Sequence, residues 1–152
     1  MTIKELSQEL VTQGSDLAER VRSAGSLDLR QRDELLYELV LAYRSGERSV
    51  YAQLILELLR TFLRIRVSRY RPVEPATSIQ DVYQQLVLAV LQDSRTIPLQ
   101  SPERLERRLA LRAADRVSRW LQQEARRQVM FESLEAWAEE HEGDDEEGDE
   151  DA

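Results

Sequence analysis

The stretch "SIQDVYQQLVLAVLQ", residues 78–92, carries two sets of side chains at helical spacing. At about 100° per residue, Ile79, Val82, Tyr83, Leu86 and Val90 fall on one side of a helix. Asp81, Gln84, Gln85, Leu88 and Gln92 fall on the other. The first set predicts a face buried in the chain's own core. The second, polar except for one leucine, predicts a surface that another molecule reads. Ser78 as N-cap, with Asp81 at the third position, predicts where the helix begins.

A single apolar stripe needs other helices to cover it, and the flanking sequence supplies them. Thr2 and Glu5 open a first amphipathic segment that extends to about Ala24, weakened in its middle by Gly14. "LRQRDELLYELVLAYRS" predicts a helix over Leu29 to Ser45, stopped by Gly46 as a C′ residue. A third helix is expected from about Ser49 to Arg71, with Val50, Leu54, Leu58, Phe62 and Ile65 on one face, before Pro72 and Pro75. After Pro98, "SPERL" predicts a last start, with Ser101 as N-cap, Pro102 in the first turn and Glu103 at the positive end of the dipole. That helix can run to about Gln128 and on towards Glu140. No strand alternation, internal repeat or glycine-rich phosphate loop interrupts this pattern. The expected fold is all-α, a bundle of about five helices. Residues 1–25 form an N-terminal helical segment, 26–131 the main domain and 132–152 an acidic tail, disordered from Glu142 onward.

The composition removes whole classes of chemistry. Among 152 residues there is no cysteine and one histidine, His141, so thiolate metal sites, thiol catalysis and histidine triads are absent. Glu38, Glu57 and Asp81 are the carboxylates to weigh for Mg²⁺, but they form no Glu-x-x-His pattern and read as solvated surface charge. No enzyme and no cofactor are expected. No apolar run approaches the roughly 18–20 residues that span a bilayer, and the start lacks a signal peptide, which predicts a cytoplasmic protein without a membrane partner.

The net charge of −8 hides an uneven distribution. From Glu132 to Ala152 there are 12 acids and no Lys or Arg, leaving 17 acids against 21 bases, a net of +4, in residues 1–131. Twenty of the bases are Arg and only Lys4 is Lys. Arginine suits phosphate and carboxylate partners, although GC-rich coding produces the same bias. On the last helix Arg104, Arg108, Arg112, Arg119 and Arg126 share one side, and Leu109, Ala110, Ala113, Val117, Trp120 and Leu121 face away from them. Such a stripe matches a nucleic-acid backbone. It also matches an ordinary solvated face, with Glu106, Asp115 and Glu124 partly neutralising it. Trp120 suggests base stacking, but its angle favours a core anchor.

Three segments in this order resemble the second conserved region of bacterial RNA polymerase sigma factors, most closely the extracytoplasmic-function type. They are "LAYRSGERSVYAQL", "SIQDVYQQLVLAVLQ" and "SPERLERRLALRAADRVSRWLQQEARR", and the resemblance covers about residues 36–128. In that family a glycine turn and an aromatic segment, like Gly46 and "VYAQL", precede a helix with an Asp and Gln motif. A basic helix ending in arginines comes last. "MFESLEAWAEE" is similar to the start of the acidic linker that follows in many sigma factors.

The resemblance implies a role for the outward face of the opening stretch. Asp81, Gln84, Gln85 and Leu88 take the positions that dock on the β′ clamp of core RNA polymerase. Arg104, Arg108, Arg112, Arg119, Arg126 and Arg127 become candidates for contact with the −10 element of promoter DNA. An anti-sigma or regulatory protein is a further implied partner. The match departs from the family at Gln85, where a Glu is usual, and in the scarcity of aromatics on the last helix. No helix-turn-helix for a −35 element follows, so region two alone is expected. The other reading is a helical protein–protein module, or a polymerase-binding regulator without promoter recognition. A helical RNA-binding subunit using the same arginines is a third.

Overall fold

A computed structural model describes residues 2, 5, 15–46, 48–72 and 77–142. The chain is all-α, with no strand among the described residues. Thr2 and Glu5 bond reciprocally, the Thr2 N–H to Glu5 Oε2 at 3.1 Å and the Glu5 N–H to Thr2 Oγ1 at 3.3 Å, as a capping box requires. Gly14, Pro75 and the tail beyond Glu142 lie outside the described residues. Helix α1 (residues 15–22) buries Leu17 and Val21 and ends in a 3₁₀ turn, Ala24–Ser26. Its Arg20 is ion-paired to Glu38 on the next helix.

Helix α2 (Leu29–Ser45) has the expected bounds and starts in a capping box between Asp28 and Gln31. Leu35, Leu36, Leu39, Val40 and Tyr43 bury its inner face. Gly46 stops it, but for reasons of space and not of handedness. Its φ is −135°. A Cβ there would lie 3.2 Å from the Ala42 carbonyl oxygen and 3.4 Å from the Tyr51 ring, so glycine lets the next helix turn in closely.

The single third helix expected from the sequence is two. Helix α3 (Arg48–Leu58) and helix α4 (Arg60–Val67) meet at Leu59. The break coincides with the Leu58 carbonyl accepting a hydrogen bond from Arg32 Nη2 on α2, at 2.9 Å. The buried line is Tyr51, Ile55, Leu58, Leu59 and Leu63, so the expected face was rotated by about one position. Val50 and Ile65, at the two ends of the expected face, are 43% and 50% exposed. The apolar arc here is wider than the core, and its two edges stay in water. The helix also ends ahead of Pro72, where the Tyr70 hydroxyl donates to the Ala114 carbonyl and pins the chain to the last helix.

Helix α5 (Ile79–Thr96) starts in the anticipated box, with the Asp81 N–H on Ser78 Oγ at 3.2 Å and the Ser78 N–H on Asp81 Oδ2 at 2.8 Å. Val82, Leu86, Ala89 and Val90 are buried. Ile79 and Tyr83, expected in the core, stand on its shoulder at 47% and 43% exposed. At the other end Arg44 donates to the Ser94 and Ile97 carbonyls, satisfying free acceptors at the negative pole.

Helix α6 (Leu105–His141) is 37 residues long. It does not start at Ser101, whose carbonyl accepts from Arg108 instead. Arg104 precedes the first turn with φ 54°, the left-handed region. The free Glu106 N–H is taken by Asp33 Oδ1 of α2 at 2.9 Å, so a distant residue provides the cap. Glu106 in turn grips Arg32 through two bonds of 3.1 and 2.9 Å. That carboxylate holds the Arg32 guanidinium above its ordinary pKa, outweighing the opposite effect of burial. Leu105, Leu109, Ala113, Ala114 and Val117 close the core between α6, α2 and α5, and Trp120 packs at its edge. Beyond Gln128 every described residue of α6 is exposed, and the helix leaves the bundle.

Candidate partner-binding surface

The outward side of α5 follows from its inward side. Because Val82, Leu86 and Val90 are buried, Gln84 and Leu88 must face water, and Leu88 is 50% exposed. Gln85 is half-buried at the margin. With Leu88, Ala89 and Gln92 of α5 and Arg116 and Val117 of α6, Gln85 lines a shallow groove of about 90 Å³. Three of the four residues assigned to this face, Gln84, Gln85 and Leu88, have no hydrogen bond within the described residues that competes with a partner. Asp81 differs. Its carboxylate is engaged by the Ser78 N–H and hydroxyl, at 2.8 and 3.0 Å, so it holds the helix start.

The arginines divide in the same way. Arg108 spends its guanidinium on the carbonyls of Pro98, Ser101 and Glu103, at 2.9, 2.9 and 3.3 Å, and so ties down the loop before α6. Arg119 pairs with Asp115 at 2.8 Å and Arg127 with Glu124 at 3.4 Å, both exposed pairs that open at little cost. Arg104, Arg112 and Arg126 are exposed, with no ion pair among the described residues. The six candidate arginines therefore comprise three free guanidiniums, two loosely paired ones and one structural one.

Two residues of this region were not singled out from the sequence. Asp93 is buried, 1% exposed, and its Oδ1 receives Arg116 from α6 at 2.8 and 2.9 Å. Its position in the middle of the apolar stripe of α5 was the signal, since a charge there needs a partner. Arg116, at the margin of the packing face of α6, is that partner, and it also forms one wall of the groove.

Among the described residues no three carboxylate, histidine or cysteine side chains gather in a metal-binding group, and no helix is long and apolar enough to cross a membrane. No family model matches the chain, and comparisons with curated proteins and with solved structures find no match either.

Proposed function

We propose that this chain is a sigma-like transcription protein that docks on the β′ clamp of core RNA polymerase through α5 and contacts promoter DNA through α6. The observation that carries the reading is the pair of faces on α5. Val82, Leu86 and Val90 are consumed by the core, and Gln84, Gln85 and Leu88, matching the family's docking positions, are left at the surface beside a groove. An exposed leucine among amide side chains gives an apolar anchor with a polar surround, the usual anatomy of a protein interface. On the DNA side the free arginines Arg104, Arg112 and Arg126 are the contacts to expect, with Arg119 and Arg127 joining once phosphate displaces their exposed carboxylates.

A second reading, a polymerase-binding regulator without promoter recognition, is favoured by Arg108. A side chain that closes a loop through three carbonyls is not available to phosphate. One experiment separates the two. The protein is mixed with core polymerase and followed by gel filtration, with and without promoter DNA carrying a fluorescent base in the −10 element. Co-migration together with opening of the DNA supports the sigma-like reading. Co-migration without opening leaves the regulator, and separate elution removes both.

A further inference from the structure

Where α6 leaves the bundle its apolar face is uncovered by any described residue. Val129, Met130, Phe131, Leu134 and Trp137 are each between 59% and 65% exposed. Met130, Leu134 and Trp137 follow at spacings of four and three, Phe131 and Ala138 widen the line, and Arg127 and His141 continue it at either end. Trp137 presents one ring face to His141, stacked at 4.4 Å, and leaves the rest open. The charges are polarised along the same segment. Arg126 and Arg127 stand at its base, Glu139, Glu140 and Glu142 at its tip.

We propose that this segment is the interface for a second copy of the chain, the two α6 helices pairing antiparallel over about residues 123–141. Antiparallel pairing centred at Glu132 sets Leu134 against Met130 of the second copy and Trp137 against Arg127 of the second copy, where a guanidinium rests on an indole face. It also brings Arg126 beside Glu140 of the second copy, twice per dimer. Glu132 and Glu139 then point away from the seam. Parallel pairing in register would set arginines beside arginines and glutamates beside glutamates, so the charge pattern selects the antiparallel arrangement.

The free length agrees. Packing on the bundle ends near Glu124, whose side chain is 18% exposed, and the helix ends at His141, a rod of roughly 25 Å. An overlap of that length brings the tip of each helix to the edge of the other bundle. Burying Met130, Phe131, Leu134 and Trp137 of both copies removes on the order of 1,000 Å² of apolar surface, the low end for a specific interface.

Sedimentation of the full chain between about 1 and 200 µM tests this. A concentration-dependent monomer–dimer equilibrium is expected. Leu134→Glu should be monomeric throughout, with an unchanged circular dichroism spectrum because Leu134 touches no core residue. Arg126→Glu and Glu140→Lys should each weaken the dimer about tenfold, and an equimolar mixture of the two variants should restore it. A wild-type chain that stays monomeric at the highest concentration overturns the proposal, as does a Leu134→Glu variant that dimerises like wild type. Charge variants that associate as well as wild type overturn the antiparallel arrangement.

Discussion

Arg116 reaches from α6 to the buried carboxylate of Asp93 on α5 and closes on it at 2.8 Å. The Oδ2 of Asp93 has no hydrogen-bond partner among the described residues, so one guanidinium carries the neutralisation of a charge that is 1% exposed. Removing the arginine strands that charge. Arg116→Met should therefore cost about 2–4 kcal/mol in urea unfolding, with partial relief because Arg116 itself is partly solvated. Adding Asp93→Leu to the same chain should recover most of the loss. A double variant no more stable than the single one would show that Asp93 does not need this partner.

Asp81 and Leu88 lie on one face of α5 but do different work. Asp81→Ala opens the capping box and should lower stability by about 1 kcal/mol. Leu88→Arg, at a half-exposed position, should change stability by less than about 0.5 kcal/mol. If α5 is the docking face, the same Leu88→Arg change should weaken binding to core polymerase at least about tenfold in a fluorescence titration. Equal affinity of Leu88→Arg and wild type removes the docking assignment.

Arg104 and Arg108 separate structure from binding on α6. Arg104 holds a left-handed backbone that disfavours a side chain, so Arg104→Gly should raise the thermal midpoint, a gain of about 0.5–1 kcal/mol. Arg108→Ala frees three carbonyls and should lose about 1–2 kcal/mol. Arg112→Gln and Arg126→Gln should leave stability unchanged. If the sigma-like reading holds, the two together should lower the salt slope of DNA binding in the polymerase complex by about two.

Arg32 gives a prediction about pH. Its pKa is raised in the folded chain by Glu106, so its contribution is complete below the unfolded arginine value and lost only as pH rises through the folded one. Both lie above the range in which proteins are handled. Arg32→Met should therefore destabilise by the same amount, about 1–3 kcal/mol, at pH 7 and pH 9. A penalty that shrinks between those two values would mean that another titrating group controls this contact.

What the sequence disclosed was what neighbouring residues decide. The bounds of α2 and the boxes at Thr2 and Ser78 are settled within three or four positions, and each was read correctly. The start of α6 was misplaced because its cap, Asp33, comes from another helix 73 positions away. The break at Leu59 coincides with Arg32 reaching the Leu58 carbonyl, a contact from outside the segment. In α5 the stripe was right at Val82, Leu86 and Val90 but too generous at Ile79 and Tyr83, since periodicity gives a direction and not the width of the neighbour that covers it. Arg108 is legible as a surface arginine, but its bonds to the loop carbonyls are not.

The length of α6 has a mechanical side. Roughly twenty residues at its start pack on the bundle, and the rest, a rod of about 25 Å, is held only at that end. A stiff rod gripped at its base converts small rotations into large displacements. A tilt of 10° where Arg116 meets Asp93 would sweep the helix near Trp137 through about 5.5 Å, the rise of one helical turn. The groove between Leu88 and Arg116 lies on the short arm of such a lever, and Trp137 near the end of its long arm.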